Sequence, residues 1–138
     1  HLNKQTVANM IDEIPIFCIL ASFAKGNSSF AGGKELKNKE SNRIKSLYEG
    51  LKKCGIKVKK KSEGLMILGN SNNSNTNLVK IKTYFDHRIA MSFLIMGIAS
   101  NKRIIVDNTS CIKTSFPNFL TLMKSIGAIF VKKNKKKL

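Results

Sequence analysis

Apolar residues recur at helical spacing in four segments of this chain and alternate with polar residues in the shorter segments between them. The spacing predicts helices over residues 12–25, 41–54, 86–99 and 117–126. The alternation predicts short strands over residues 28–31, 56–58, 65–68, 78–82, 103–107 and 128–131. Residues 71–77 are all polar and are expected to form a linker. Helices that alternate with strands predict an α/β fold in which the helices pack on sheets.

The predicted order of elements repeats once along the chain. Three pairs of residues mark matching positions, and these are Asp12 and Asp86, Lys39 and Lys113, and Gly55 and Gly127. The members of these pairs are 74, 74 and 72 residues apart. We therefore expect two α/β units, at about residues 10–70 and 78–132, followed by a basic tail at 133–138. Matching charged residues suggest that one face of each unit builds a common site.

Composition narrows the class of protein. The chain has 138 residues, of which 42% are hydrophobic, so it can bury the core of one domain and is not a disordered basic tail. No apolar run approaches the ~20 residues that cross a bilayer, so we expect no membrane partner. Cys18, Cys54 and Cys111 cannot all pair, and their apolar settings favour inert thiols in a reducing, cytoplasmic compartment. The two histidines and scattered cysteines lack the spacing of metal ligands, and we expect no metal and no cofactor.

The net charge of +17 first suggests a nucleic-acid binder. However, 22 of the 25 basic residues are lysines, and the lysine runs contain no interleaved aromatic residues that could stack on bases. We interpret them as solvated positions and expect no nucleic-acid partner, while a basic nucleic-acid-binding domain stays as the alternative from another class. Arginine is scarce, so Arg43 and Arg88 stand out, because a planar guanidinium matches phosphate or carboxylate in a way that lysine cannot.

Both of these arginines lie in charged motifs beside predicted helices. Lys39 and Arg43 are four residues apart, so on a helix they would share a face at its N-terminus, where backbone N–H groups favour anions. Asp86, His87 and Arg88 open the third predicted helix. The alternative readings are a capped surface helix for the first motif and a structural role for the histidine.

Two aspartates stand directly before apolar helices, where an aspartate is ordinarily an N-cap. Asp12 and Asp86 are equivalent in the repeat, which raises the alternative that Asp12 points into a shared site. Together with Glu40 and the nearby cations, Asp12 would supply a base, an acid and anion clamps. A transferase that acts on phosphorylated or carboxylated substrates needs such a set.

Four motifs, in their order and spacing, resemble the 5-enolpyruvylshikimate-3-phosphate synthase family, also called 3-phosphoshikimate 1-carboxyvinyltransferase. These motifs are Asp12–Pro15, Lys39–Arg43, Asp86–Met91 and Thr114–Pro117, and the resemblance covers about residues 8–131. The family enzyme is longer and has two domains, each built from three α/β units in an inside-out α/β barrel. The resemblance implies that this chain is part of the C-terminal domain, lacks the N-terminal domain, and belongs to a protein that is a monomer at full length. The start at His1 rather than Met also suggests a fragment, and we expect it to be inactive alone.

The resemblance implies transfer of the enolpyruvyl group from phosphoenolpyruvate to the 5-hydroxyl of shikimate 3-phosphate, with release of phosphate. Asp12 matches the residue that accepts the hydroxyl proton, and Glu40 matches the donor of a proton to the methylene carbon. Lys39 matches a contact with shikimate 3-phosphate near the transferred group. The alternative within enzymes is the related UDP-N-acetylglucosamine enolpyruvyl transferase.

The remaining matches concern phosphoenolpyruvate. Arg43 and Arg88 match the clamps of this substrate, and His87 matches a neighbour of the site. Thr114 stands where the family often has a further phosphoenolpyruvate lysine, so the resemblance places that role on Lys113, one residue earlier. The chain also has Asn42 where the family has an aspartate before the motif arginine, which removes one charge beside that arginine.

Overall fold

A computed structural model of the chain describes residues 1–69, 78–100 and 102–132, so the predicted linker at 71–77 and the basic tail at 133–138 lie outside the described residues. The helices are α1 (Lys4–Asn9), α2 (Ile14–Phe23), α3 (Arg43–Lys53), α4 (His87–Ala99), α5 (Ser110–Ser115) and α6 (Phe119–Ser125), with a 3-10 turn at Lys34–Asn38. The strands are β1 (Asn27–Ser29), β2 (Lys57–Lys61), β3 (Gly64–Leu68), β4 (Val79–Ile81) and β5 (Ile104–Val106). The predicted mixture of helices and strands is confirmed.

The strands form two small sheets, one in each predicted unit. In the first sheet β3 lies between β1 and β2 and is antiparallel to both. In the second sheet β4 and β5 run parallel, and α4 is the crossover between them. The first unit has a similar but smaller feature. Leu2, before α1, and Phe30, after α2, form a single parallel bridge, so these two helices connect two parallel segments. Both units therefore place a helix across a parallel connection.

Helix α4 joins the two units because its apolar surface contributes to two cores. Phe93 and Met96 pack into the larger core with residues of α2, α3 and the first sheet, including Ile14, Leu47 and Ile67. On another side, α4 packs against α5 and α6 through a smaller cluster formed by Ala90, Leu94, Ile112 and Phe119. Apolar residues on two sides of one helix are typical of a buried position.

The ends of α3 and α6 support the equivalence of the two units. Gly55 and Gly127 have φ values of +77° and +97°, which favour glycine. In each case the glycine N–H and the next N–H donate to carbonyls in the last turns of the helix, from Lys52 and Leu51 in one and from Lys124 and Met123 in the other. Two helices that were predicted to be equivalent thus end in the same hydrogen-bond pattern.

The predicted closing strand at residues 128–131 is wrong. These residues form no strand among the described part of the chain, and the side chain of Ile129 is 89% exposed. A strand is stable only when another strand pairs with it. The equivalent strand of the first unit, β2, is paired with β3, which follows it directly after a tight turn. The alternation of apolar residues is present at 128–131, but no described strand lies beside it.

Three predicted helix starts also need correction. Helix α2 begins at Ile14 rather than Asp12, α3 begins at Arg43 rather than Ser41, and α6 begins at Phe119, after Pro117. In each case the polar or proline residue before the helix lies in a turn. The short helices α1 and α5 were not predicted, since each has six residues and only one buried side chain.

The three cysteines are free thiols with raised pKa values. Cys18 and Cys54 are buried, and Cys111 is partly buried beside α4. Burial raises the pKa of Cys54 to about 11 against the opposing effect of Lys102, and burial also raises the pKa of Cys18 and of Cys111. The thiols are therefore protonated at neutral pH, which agrees with the interpretation that they are inert.

The contact between α3 and α4 can be tested with a matched pair of glycine substitutions. A Cβ at Gly50 of α3 would overlap the ring of Phe93, whereas a Cβ at Gly97 of α4 would lie 3.4 Å from the nearest atom, in Ile104. We expect Gly50→Ala to lower the free energy of unfolding by about 1–3 kcal/mol because it overpacks the core. Gly97→Ala should raise it by roughly 0.5–1 kcal/mol through helix propensity. Chemical denaturation measures both, and an unchanged stability for Gly50→Ala would contradict the helix packing.

Candidate functional site at the junction of the two units

The guanidinium of Arg43 is the centre of a cluster that contains six of the seven predicted site residues. Its side chain is only 1% exposed, although arginine is almost never fully buried unless it is paired. Its three nitrogens each donate to a different carboxylate: Nε to Asp86 at 2.9 Å, one Nη to Asp12 at 2.9 Å and the other Nη to Glu40 at 2.6 Å. The chain thus builds its buried charge site from residues of both units.

Asp86 is the buried anchor of this cluster. Its carboxylate is fully buried, and one oxygen accepts from the Arg43 Nε and from the Ser41 hydroxyl at 3.0 Å. The other oxygen accepts the backbone N–H groups of Arg88 and Ile89, which makes Asp86 the N-cap of α4 as predicted. The sequence indicated this cap but not the hydrogen bonds that Arg43 and Ser41 donate to Asp86. The sequence did contain a signal for these bonds, because Ser41 and Asp86 lie inside the two charged motifs.

Asp12 lies where three cations converge. Its carboxylate contacts Arg43 at 2.9 Å, Arg88 Nη2 at 3.3 Å and Lys39 Nζ at 3.9 Å, and it is 40% exposed. Its backbone carbonyl also accepts from Arg88 Nη1 at 2.9 Å. The prediction that Asp12 caps a helix is wrong, because Glu13 is the N-cap residue of α2. The alternative, a carboxylate aimed into a shared cluster, describes the structure.

Lys39 and Arg43 approach the same carboxylate, but not through a shared helix face. Lys39 ends the 3-10 turn and has extended backbone, while Arg43 is the first residue of α3. The side chain of Asn42 caps α3 by accepting from the Lys45 N–H at 3.0 Å. The expected anion beside these cations is supplied in this structure by carboxylates of the chain itself.

Glu40 and His87 lie at the exposed rim of the cluster. The side chain of Glu40 is 46% exposed, and its second oxygen is 3.7 Å from His87 Nδ1. Glu13 lies on the other side of the cluster, 3.8 Å from Arg88 Nη1. These carboxylates complete a site that is buried at Arg43 and open toward Asp12 and Glu40.

Lys113 is the one predicted site residue that the structure does not bring to the cluster. It lies in the last turn of α5 and is exposed. Within the described parts of the chain, Lys113 makes no hydrogen bond or ion pair. Its predicted role therefore has no geometric support and stays a prediction.

The turn before α4 is held by Asp107, from the end of β5. The backbone N–H and the hydroxyl of Thr83 both donate to Asp107 Oδ1, at 2.9 and 2.7 Å. Tyr84 and Phe85 follow with φ values of +54° and +60°, which are uncommon for bulky residues. The hydrogen bonds of Thr83 and of Asp86 fix the two ends of this strained turn, which directs the carboxylate of Asp86 into the cluster.

The neighbouring cations set the ionisation of Asp12. Partial burial by itself raises the pKa of Asp12, but the hydrogen bond from Arg43 and the charges of Arg88, Lys39 and Arg43 outweigh it and hold the pKa below 3.8. Burial acts against the charge of Arg43, and its bond to Asp86 leads the interactions that raise the pKa of Arg43. At neutral pH Asp12 and Arg43 therefore form an ionised pair.

Asp12→Asn is expected to lower the thermal midpoint of unfolding near neutral pH and to have less effect as the pH falls below about 4. Because folding lowers the pKa of Asp12 from 3.8, the ionised carboxylate stabilises the fold above that value. This contribution is lost as the pH falls through the folded pKa. Thermal unfolding of both proteins at pH about 7, 5 and 3 measures the difference, and a constant difference would exclude this charge effect.

Two further properties bound the chemistry of the site. Among residues 1–69, 78–100 and 102–132, no group of three or more histidine, cysteine or acidic side chains is placed to hold a metal ion. Within the same ranges, no helix has the length and apolar character needed to cross a membrane. The chemistry available in the cluster is thus that of carboxylates, guanidinium groups, an ammonium group and an imidazole.

Fold and site together define an α/β protein in which residues of α3, of α4 and of the turns before α2 and α3 build one charged site. The family model described as EPSP synthase (3-phosphoshikimate 1-carboxyvinyltransferase) matches residues 1–123. A curated 3-phosphoshikimate 1-carboxyvinyltransferase from Parvibaculum lavamentivorans is 45% identical over 124 residues, which are 90% of this chain and 27% of that protein. One from Campylobacter jejuni is 44% identical over 125 residues, which are 91% of this chain and 28% of that protein.

A solved structure gives the same result. The EPSP synthase of Acinetobacter baumannii superposes with a TM-score of 0.79 at 33% identity, covering 93% of this chain and 30% of that one. The chain belongs to the EPSP synthase family, and the match confirms the predicted fold class. It spans little more than a quarter of the length of these curated relatives.

Proposed function

We propose that this chain is part of an enzyme that transfers the enolpyruvyl group of phosphoenolpyruvate to the 5-hydroxyl of shikimate 3-phosphate. This reaction belongs to the shikimate pathway, which leads to chorismate and the aromatic amino acids. The observation that carries the proposal is the convergence of three separate sequence motifs, through Asp12, Arg43 and Arg88, in one cluster. Both substrates carry phosphate and carboxylate groups, and converging guanidinium groups bind such anions.

The reaction requires one proton acceptor and one proton donor. The substrate hydroxyl loses its proton and its oxygen bonds to C2 of phosphoenolpyruvate, while C3 gains a proton and becomes a methyl group. The resulting tetrahedral ketal phosphate then returns a methyl proton to the group that supplied it, as the bond from C2 to the phosphate oxygen breaks. Enolpyruvyl shikimate 3-phosphate and inorganic phosphate are the products.

We assign these proton transfers to the two exposed carboxylates of the cluster. Asp12 is kept ionised by its cationic neighbours, so its carboxylate is in the form that can accept the hydroxyl proton. Glu40 lies on the other side of Arg43 and is assigned the proton that reaches C3. In this structure the two carboxylates accept from different Nη atoms of the same guanidinium, which places the acid and the base on either side of Arg43.

The cations are assigned to substrate binding. Arg43 and Arg88 would bind phosphoenolpyruvate, and Lys39, beside Asp12, would bind shikimate 3-phosphate near the transferred group. His87 is a neighbour of the site through Glu40. Lys113 is retained as a phosphoenolpyruvate contact on the resemblance alone.

The proposal includes the setting of the chain. Its two units, at about residues 10–70 and 78–132, would form part of the C-terminal domain, and the N-terminal domain would be a separate part of the protein. We expect the full-length protein to be a cytoplasmic monomer without a nucleic-acid partner. The names of the relatives favour this activity over the UDP-N-acetylglucosamine enolpyruvyl transferase and over a nucleic-acid-binding domain.

Reconstitution tests the proposal. Mixing the chain with the separately expressed remaining part of an EPSP synthase should restore phosphate release that depends on both substrates. In that mixture Asp12→Ala should lower the rate by about 10²–10⁴-fold, the range for loss of a general base. Glu35→Ala is the matched control, because Glu35 is exposed and lies outside the cluster. Equal rates for the two variants would overturn the role of Asp12.

A further inference from the structure

The charge balance of the cluster is unfavourable for an anionic substrate. Three cations, Arg43, Arg88 and Lys39, face four carboxylates, those of Asp12, Glu13, Glu40 and Asp86. The cluster therefore carries one net negative charge before the imidazole of His87 is considered. A phosphate dianion that enters this arrangement meets cations that are already neutralised. For it to bind well, one carboxylate of the chain has to leave its guanidinium partner.

The three carboxylates on Arg43 differ in how firmly they are held. Asp86 is fully buried and accepts four hydrogen bonds, so its removal would leave several donors without partners. Asp12 contacts three cations. Glu40 has one hydrogen bond, to Arg43, and its next partner is His87 at 3.7 Å, beyond hydrogen-bond distance.

Glu40 is also the most exposed of the three, at 46%, and it lies outside any helix or strand, between the 3-10 turn and α3. Rotation of its side chain therefore disturbs no backbone hydrogen bond and no packed core. When it leaves, the Nη2 group of Arg43 becomes available at the open rim of the cluster. An incoming oxyanion can then accept the same charge-assisted hydrogen bond.

We propose that Glu40 is an internal competitor for the anion site: its carboxylate occupies the Nη2 group of Arg43 until a substrate oxyanion displaces it. This inference rests on the proposed function, since it treats Arg43 as a substrate ligand. The exchange replaces one oxyanion on Arg43 with another, so the buried guanidinium keeps a partner throughout. The displaced carboxylate remains beside His87, which is its nearest second partner.

The competition predicts that loss of the Glu40 carboxylate tightens anion binding. We expect Glu40→Gln to bind inorganic phosphate about tenfold more tightly than the unmodified chain at fixed, low ionic strength. Glu40→Asp keeps the charge but is one methylene shorter, so it should reach Arg43 poorly and also bind phosphate more tightly. Glu13→Gln is the matched control, because it removes the same charge from a carboxylate whose ion pair, within the described ranges, is with Arg88 and not with Arg43. Isothermal titration calorimetry with inorganic phosphate, and then with phosphoenolpyruvate, measures all four proteins.

The outcomes separate competition from a general effect of charge. Tighter binding by both Glu40 variants than by Glu13→Gln supports the exchange. Equal tightening by Glu40→Gln and Glu13→Gln, or no phosphate binding by any variant, overturns it. If Glu40→Gln binds phosphate tightly while the reconstituted protein shows no enolpyruvyl transfer, the proposed activity fails and the exchange stands. Circular dichroism of each variant shows that the comparison is made between folded proteins.

Discussion

Arg43→Met should lower the free energy of unfolding by about 3–5 kcal/mol, the range for removal of one partner from a buried ion pair. Methionine fills much of the volume of arginine, so the loss of stability comes mainly from the buried carboxylate charge of Asp86, which remains without its cation. Asp86 would keep its Ser41 and backbone donors, but its fully buried carboxylate would lose Arg43, the one cation that pairs with it among the described residues. Urea denaturation of the two proteins measures the difference.

The control for this experiment removes a cation from the exposed side of the same cluster. Lys39→Met deletes an ammonium group that is 30% exposed and 3.9 Å from Asp12, so it should cost less than about 1 kcal/mol. A similar loss for both variants would contradict the central position of Arg43. A stability change of less than 1 kcal/mol for Arg43→Met would show that Asp86 does not need this partner.

The 138-residue chain alone should release no measurable phosphate from phosphoenolpyruvate and shikimate 3-phosphate. Transfer of this kind requires two anionic substrates to be held together in a closed site with little water. The cluster around Asp12 and Glu40 is open on one side, since both carboxylates are more than one-third exposed. Nothing in the described residues fixes a hydroxyl group against Asp12. A coupled phosphate-release assay on the purified chain measures the rate.

Weak binding should persist without turnover. The cations of the cluster should still retain phosphoenolpyruvate in the millimolar range, and added salt should weaken this binding, because the open site is screened. Steady phosphate release that requires both substrates would show that the chain needs no further domain, and would contradict the proposed division of the site. The reconstituted mixture serves as the positive control.

The sequence predicts caps and helices well where the cause is local, and the two equivalent aspartates show the limit. Asp86 caps α4 because backbone N–H groups two and three residues later are always within reach of such a side chain. Asp12 has the same local pattern, but its carboxylate is drawn to Arg43, which lies 31 residues away in sequence. Tertiary contacts therefore decide which of the two aspartates caps a helix, and a local sequence pattern carries no information about those contacts.

The scarcity of arginine and the order of the motifs indicate candidate site residues. They do not indicate how these residues are arranged in space. The rarity of arginine singled out Arg43 as a candidate, yet its burial under three carboxylates could not be foreseen from spacing. The i to i+4 argument for Lys39 fails because the helix begins only at Arg43. The closing strand at 128–131 fails for a similar reason, since alternation describes a strand but does not supply its partner.

The position of Arg43 also limits how this site can change during evolution. One guanidinium binds Asp12 of the first unit and Asp86 of the second, so substitutions there are removed by selection for folding before any effect on substrate binding can be tested. Substitutions at the exposed rim, at Glu40 or Lys39, leave the buried bonds in place. Affinity for anionic ligands can therefore change through the rim without unfolding the protein, while the central arginine stays unchanged.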